Sequence, residues 1–600
     1  MATFANRDPQ ACVYDSFRST IAQLLVDSLS TKLTLEQAYD GVDYGKKGED
    51  FTVALPRFRL SGKVEDLGKK VIDKAASVVA SVSQDRAFLH FRLKSDVVAK
   101  GVLQQVSGSL FLHPKVLSTL TDIDTFSYGK NKSGEGKRII IEYSSPNIAK
   151  SFHVGHLRST IIGAFLANLY KACGWDVISM NYLGDWGTQF GLIATGFSKY
   201  GSQEELEKDA IKHLFDVYVK VNADAKDNPQ VKADAAAWFK RMEDGEEDAL
   251  KHWREWRELS IKKYKEEYAR LNVSFDVYTG ESEVSNEYME SALKRLEEKG
   301  IIEASYGAKL VDLEKHKLGK AVVRKKDGTS IYLTRDIGGA EQRYDKYKFD
   351  KMIYVISAQQ DLHMAQFTKV MQLLEYPWAK DIQHVNYGLV LGMSTRKGTV
   401  VFLDQIIKEA GNVMHEQMMK NEEKYRGVEN PEYTSQELGI TGVKIQDMTA
   451  KRINNYTFTW DRMTSFEGDT GPYLQYAHVR LSSIARKNPD LLPLPPTDSI
   501  DVTLLVSTDD LAAQHARAII FLLGTYPDVV RTALQSQEPS GVVTFCFRLS
   551  HAISTAWETV IVKGEKNRDK AVARLWMYEC AREVLAAAMR LLGLRPLDRM

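Results

Sequence analysis

The sequence predicts an α/β fold: a Rossmann-like parallel sheet domain carrying an insertion, an appended N-terminal α/β domain and an all-helical C-terminal domain. Three observations predict it. Two β-α-β patterns lie about 170 residues apart on either side of a charged helical tract. A Gly-, Ser- and Lys-rich run separates the first pattern from everything before it. The last stretch of roughly 160 residues repeats Leu, Ala and Arg at helical spacing. The chain has 600 residues, and one domain per roughly 150 residues gives three to five.

Composition narrows the function class. With 44% hydrophobic and 26% charged residues, disorder and fibrous repeats are excluded. A formal charge of +1 leaves no basic tail, so any nucleic-acid surface has to be local. The longest apolar stretches, such as residues 518–524, fall far short of the roughly 20 residues a membrane span needs. The opening residues lack an apolar signal core and soon add Asp8 and Asp15, so secretion is not expected. Cys12, Cys173, Cys546 and Cys580 are too scattered for a clustered cysteine zinc site or a disulfide framework, which suggests a reducing compartment. A soluble, cytosolic, multidomain protein with no membrane partner is expected.

Residues 1–127 form the first expected domain. Phe17, Ile21, Leu24, Leu25 and Leu29 share one helical face, and Leu67, Val71, Ile72, Ala75 and Val79 another. Between them Phe51 to Leu60 reads as extended chain broken by Pro56, and Phe88 to Leu93 as a strand. Tyr128 to Lys137 has the content of an exposed linker. The second domain is placed at 138–425. Arg138 to Glu142 is a β-branched strand, Leu157 to Trp175 a helix stopped by Gly174, and Asp176 to Asn181 the next strand. Residues from about 200 to 299 read as a solvated helical insertion with Trp238, Trp253 and Trp256 as anchors. Lys351 to Ser357, His363 to Leu374 and His384 to Leu391 repeat strand, helix and strand. Residues 440–600 form the helical domain, interrupted by a proline-marked loop at 488–499.

The chemistry concentrates in two stretches. His153-Val-Gly-His156 sits between a strand and a helix start, where unpaired N–H groups and the positive dipole end suit a phosphate. Gly155 lets a phosphate approach the backbone, and the dipole favours neutral imidazoles that donate hydrogen bonds. The same pair could instead simply cap the helix. No third ligand is in range, so zinc is not expected. Gly392 to Gly398 bounds a Ser, Thr, Arg and Lys loop after a strand, the place for a phosphate loop in a parallel sheet, although a solvated basic turn has the same composition. The two stretches on one sheet edge reinforce each other.

Together these residues resemble the class I aminoacyl-tRNA synthetases, whose two motifs are usually written HIGH and KMSKS. Residues 144–150 (SSPNIAK), 181–187 (NYLGDWG), 332–336 (YLTRD), 359–363 (QQDLH), 393–398 (MSTRKG) and 468–478 (GDTGPYLQYAH) are similar to the arginyl-tRNA synthetases of eukaryotic cytosolic type. The matches run from about residue 138 to the end of the chain. The resemblance implies activation of L-arginine by ATP, transfer to tRNA(Arg), and release of AMP and pyrophosphate. It implies that His153, Gly155 and His156 contact ATP, and that Met393, Ser394, Thr395 and Lys397 close over its pyrophosphate with Mg2+. Gly392 and Thr395 stand where the class pattern usually has lysines, so Lys150, Arg396 and Lys397 are the candidate cations. Most arginyl-tRNA synthetases share such a gap and need bound tRNA before they activate arginine.

A guanidinium is read best by a planar carboxylate. Asp336 is the leading residue, with Tyr332 one helical turn earlier and Glu142 as a second anion, although Tyr332 could instead be core and Glu142 could only tether a strand end. By the resemblance, Ser145 and Asn147 would lie near the α-amino and carboxylate groups, with Gln360 as a further polar contact. Asp469, Tyr473, Tyr476, His478 and Arg480 would bind tRNA ahead of a helical anticodon-binding domain, although Tyr473 and Tyr476 could instead pack between domains. From Lys451 onward acidic and basic residues almost balance, so RNA recognition has to rest on placed contacts. The family implies no structural zinc and a monomer in the cytoplasm, with mitochondrial targeting left open. The rivals are a small-molecule nucleotidyltransferase that shares the histidine pair, and a non-catalytic RNA-binding paralogue.

Overall fold

In the computed structural model, which describes residues 7–29, 32–46, 48–74, 77–108, 126–148, 154–326, 332–392 and 403–600, the N-terminal residues build an antiparallel sheet. Its strands are β1 (Val42–Tyr44), β2 (Phe51–Ala54), β3 (Val79–Asp85) and β4 (Phe88–Leu93), in the order β1-β2-β4-β3. The helix Val13–Leu29 buries the expected face of Phe17, Ile21, Leu24, Leu25 and Leu29. Two expectations are corrected. Extended chain ends at Ala54, because Pro56 opens a short 3-10 helix, Leu55–Phe58. The second helix ends at Ile72, and Val79 instead pairs with Leu93 across β3 and β4. Ala75 lies outside the described residues.

The central sheet starts with β5 (Arg138–Glu142) and β6 (Asp176–Leu183). Ile139, Ile140 and Ile141 are all fully buried: the first and third join one hydrophobic cluster, the second the cluster on the opposite face. The helix Val154–Ala172 joins these strands and begins one turn before the expected Leu157. It ends at Gly174, whose φ of +83° only glycine adopts without strain. The charged tract that follows is not wholly an insertion. Four helices (Gln203–Lys208, Ala210–Asp227, Pro229–Glu243 and Glu247–Arg270) are followed by β7 (Val277–Gly280), which returns to the sheet beside β6.

Strands β8 (Ile302–Ser305), β9 (Ala308–Asp312) and β10 (Lys320–Arg324) then form a small antiparallel sheet, before β11 (Lys351–Ser357) and β12 (Ile382–Tyr387) complete the central one. The central order is β12-β11-β5-β6-β7, parallel throughout. Strand order reverses between β5 and β11, so a crevice opens past their carboxyl ends, where ligands of such sheets bind.

The last strand is also corrected. The central sheet loses the chain at Tyr387, because Gly388 presses on the backbone of Ile453 and Asn454, where a Cβ would come within 2.6 Å of the Ile453 carbonyl. A separate pair follows, β13 (Val390–Leu391) parallel to β14 (Tyr456–Thr457). The C-terminal region is a bundle whose long helices are Pro431–Met448, Gly471–Lys487, Leu511–Ser536, Ser540–Ala556 and Arg568–Leu591. The N-terminal module docks on it through ion pairs from Asp15 to Arg531 (2.8 Å), Arg18 to Asp528 (2.7 Å) and Asp50 to Arg517 (2.6 Å). Among the described residues no helix is long and apolar enough to cross a membrane.

Candidate active site

The crevice is a cleft of about 740 Å3, and it gathers Glu142, Ser145, Asn147, Gly155, His156, Tyr332, Asp336 and Gln360. Lys150, His153, Met393, Ser394, Thr395, Arg396 and Lys397 lie outside the described residues.

One wall is the turn that leaves β5. Ser144 and Ser145 both have left-handed backbones, φ 71° and 49°, a conformation that costs non-glycine residues roughly 1–2 kcal/mol each. Buried hydrogen bonds hold it. Ser144 N–H donates to Ser159 Oγ (2.9 Å), and Ser144 Oγ lies 2.6 Å from the Tyr268 hydroxyl on the helix Glu247–Arg270. Thr160 donates to the His156 carbonyl at 2.6 Å and sits 2.8 Å from Ser144 Oγ, which ties the strained turn to the start of the histidine helix. Asn147 bridges to Gly184 beyond β6. A Cβ at Gly184 would fall 2.0 Å from Asn147 Oδ1, so only glycine allows this approach.

The opposite wall carries the charges. The helix Tyr332–Tyr347 places Tyr332, Asp336 and Arg343 on the side that lines the cleft. Arg343 sits 2.6 Å from buried Glu142 and 4.8 Å over the Tyr182 ring. Burial pushes the Glu142 carboxyl up from its ordinary range, and Arg343 opposes that push. Asp336 lies 2.7 Å from His363 Nε2, and this hydrogen bond raises the imidazole above its ordinary value. Glu281, in the turn after β7, pairs with Arg335 at 2.8 Å. The insertion positions that turn: Asp185 accepts from Arg257 (2.6 Å) and from the Ser282 N–H (2.9 Å). Arg335, Arg343, His363, Glu281 and Tyr182 were not foreseen. A signal existed for two of them, since Arg343 is two helical turns from Asp336 and His363 follows Gln360 by three residues.

The expected RNA-facing residues sit at the start of the helix Gly471–Lys487. Asp469 pairs with His551 (2.8 Å), and the half-buried Tyr473 has its hydroxyl 3.0 Å from Ser554. Tyr476 is exposed, while Arg480 stacks on Trp557, 3.9 Å from the ring centre. His478 is corrected: it is buried, its Nδ1 lies 2.7 Å from the Leu597 carbonyl, and desolvation lowers its pKa, so it anchors the C-terminal segment and offers no surface. The described residues include one cluster of metal-ligand type, Cys12, Asp15 and Asp528, but arginines already pair with both carboxylates.

A cleft with phosphate-facing groups at a helix start and carboxylates opposite can hold a nucleotide beside a cationic small molecule. Comparisons agree. Residues 119–460 match the family model for tRNA synthetases class I (R), catalytic domain, and residues 474–600 that for the DALR anticodon binding domain. The chain is 48% identical to the cytoplasmic arginine–tRNA ligase of Saccharomyces cerevisiae, across 99% of this chain and 96% of that one. It is 42% identical to the mitochondrial arginine–tRNA ligase of the same yeast, across 99% and 90%. Its fold is similar to the crystal structure of Plasmodium falciparum arginyl-tRNA synthetase, with a TM-score of 0.77, 20% identity, and 98% and 99% of the two chains covered.

Proposed function

The chain belongs to the class I arginyl-tRNA synthetases and is an arginine–tRNA ligase, and from that premise we propose how its cleft divides the work. The observation that carries the proposal is that Asp336 and His156 line one cleft at the sheet's switch point. The guanidinium lies against Asp336 and Tyr332, with Glu142 as the second anion behind. Ser145, Asn147 and Gln360 take the α-amino and carboxylate groups. ATP lies along Gly155 and His156 at the helix start, where the dipole favours its α-phosphate.

The arginine carboxylate then attacks the α-phosphorus in line, so no protein nucleophile is required. The chain supplies proximity and meets the charge that develops on the phosphate oxygens. His156 donates to that phosphate. His153 is assigned the same role by its motif, and Met393, Ser394, Thr395, Arg396 and Lys397, with Lys150, are assigned to the pyrophosphate on the same footing. Mg2+ enters with the nucleotide as part of the substrate. The arginyl group then passes to the terminal ribose of tRNA(Arg), which Asp469, Tyr473, Tyr476 and Arg480 help to bind. The enzyme works in the cytosol, a reading supported by its likeness to the yeast cytoplasmic ligase, and as a monomer, a reading that rests on the family resemblance alone.

The test is arginine-dependent exchange of pyrophosphate into ATP, with tRNA(Arg) present, for the parent and for Asp336→Asn and His156→Ala. Both variants should lose exchange. Asp336→Asn should do so through arginine affinity and His156→Ala through turnover. Unchanged exchange in both variants would overturn the assignment of the cleft.

A further inference from the structure

Three carboxylates line the cleft, and each already faces a cation: Glu142 has Arg343, Glu281 has Arg335, and Asp336 has His363. Two of these cations are permanent, because a guanidinium does not lose its proton in a protein. The third can be switched off without moving any atom. Among the described residues His363 is the only hydrogen-bond partner of Asp336, through Oδ2, so Oδ1 has no hydrogen bond from them, and Asp336 lines the cleft. Both side chains are about one third exposed, 33% for Asp336 and 31% for His363, so cleft water and protons reach the pair.

We infer that His363 is a positioning and specificity-determining residue: its ring fixes Asp336, and its charge sets how strongly that carboxylate takes the arginine guanidinium. The inference rests on the assignment of Asp336 to the guanidinium. When His363 is neutral, its Nε2–H holds Oδ2 and Asp336 keeps a full negative charge for the substrate. When His363 is protonated, the carboxylate is already matched, and an arriving guanidinium becomes a second cation on one anion. Arginine binding and His363 protonation therefore oppose each other, and by linkage each weakens the other equally. The hydrogen bond to Asp336 raises the imidazole in the empty cleft, so the competition falls where the residue ordinarily titrates or just above.

The other charged or titratable groups around His363 do not give this behaviour. Arg335 and Arg343 stay charged, and Glu142 and Glu281 are spoken for by them. Burial drives the phenols of Tyr182 and Tyr354 upward, away from neutrality. On its own helix Asp361 is bonded to Asn386 and lies 3.7 Å from His384, whose ring is held below its ordinary value by desolvation. Because His363 holds Oδ2, the cation that fits is one that reaches the other Asp336 oxygen while His363 is neutral.

The experiment is calorimetric titration of the full-length protein with L-arginine from about pH 6 to pH 8, in two buffers of different ionisation enthalpy, so that protons released on binding are counted. The parent should bind more tightly as pH rises, by up to about tenfold per pH unit, and should release a proton in the lower half of that range. His363→Gln keeps an N–H at the same reach but cannot take a charge. It should bind with a pH-independent affinity close to the parent's high-pH value and release no proton. A parent affinity that is flat with pH overturns the inference without any variant, and so does a His363→Gln profile that matches the parent's. Asp336→Asn separates the two readings. Loss of binding at every pH supports the guanidinium assignment, whereas parent-like binding overturns that assignment and the His363 coupling with it.

Discussion

Asp336 is held at one oxygen by His363 and open to the cleft at the other, so removing its charge isolates the ionic part of substrate recognition. Asp336→Asn keeps the shape and should raise the arginine KM by about 2 kcal/mol, roughly thirtyfold, the size of a hydrogen bond to a charged group. The KM for ATP should change little, because the nucleotide is assigned to the other wall. Steady-state kinetics with both substrates varied checks this, and equal losses for the two would make Asp336 structural. His156→Ala should act differently. A donor to charge that develops on phosphate is worth about 3 kcal/mol in turnover, so kcat should fall by two to three orders of magnitude. The fold should not notice, since the backbone carbonyl of His156, not its ring, accepts from Thr160. A variant that melts early but turns over normally per folded molecule would place the ring in the scaffold instead. At this scale the sequence was legible wherever a residue type is tied to a chemistry. For Arg343 and His363 it offered only position, two helical turns beyond Asp336 and three residues beyond Gln360, because a cation that neutralises a neighbouring carboxylate leaves no mark of its own in composition.

Strands whose side chains are buried on both faces were readable as β-branched runs, which is why β5, β6 and β11 emerged close to their observed limits. The four-residue β7 was hidden, because Val277–Gly280 is brief and follows the charged helix Glu247–Arg270. The break after β12 was hidden as well. Apolar residues continue through Tyr387, Leu389 and Leu391, and only the approach of Ile453 and Asn454 at Gly388 shows why the chain leaves the sheet. Arg158 anchors that break. It is fully buried two residues after His156, and its Nη1 donates to the carbonyls of Gly388 (2.6 Å) and Asn454 (2.9 Å). It also pairs with buried Asp447 at 3.4 Å. Burial lifts the Asp447 carboxyl to about 6 even against this arginine. Arg158→Met should therefore cost about 3–5 kcal/mol at neutral pH, because it leaves a buried carboxylate without its cation. The sign with pH follows. A carboxyl whose folded pKa is raised burdens the fold when ionised, above that value, and the burden fades as pH falls through it towards the unfolded value. The difference in melting temperature between parent and variant should shrink between about pH 7.5 and pH 5. A difference that stays constant would show that lost packing, not the exposed charge of Asp447, accounts for the loss.

The whole molecule joins the two ends of the reaction. Domain types were legible from composition, but their docking was not: Tyr128 was read as part of an exposed linker, yet it is buried, with its hydroxyl donating to the Leu523 carbonyl at 3.0 Å. The segment that leads up to Gly392 is likewise stitched to the approach to the helix proposed to bind tRNA. Arg452 Nη1 donates to the Asn386 carbonyl, Gly388 N–H to the Arg452 carbonyl, and Leu389 N–H to Asn455 Oδ1. Tyr456 and Phe458 N–H groups donate to the carbonyls of Leu389 and Leu391, and the chain then runs on to Asp469 and the helix that starts at Gly471. A ligand that orders Asp469–Arg480 thus acts on the segment from which residues 393–398 depart. Gly392 and Thr395 stand where the class pattern usually has lysines, and the cations proposed for the pyrophosphate are Arg396, Lys397 and Lys150. Ordering free energy supplied by one ligand lowers the cost for the next. Without tRNA, arginine-dependent pyrophosphate exchange should therefore be slower by a factor of roughly 5 to 150, the ordinary span of a coupling between two sites. Saturating tRNA(Arg) should restore it, and by reciprocity ATP and arginine together should tighten tRNA binding by a comparable factor if the coupling is in affinity. The measurement is the exchange rate with and without cognate tRNA. Equal rates would sink the coupling and leave the stitching between 386–391 and 452–458 as a purely structural feature.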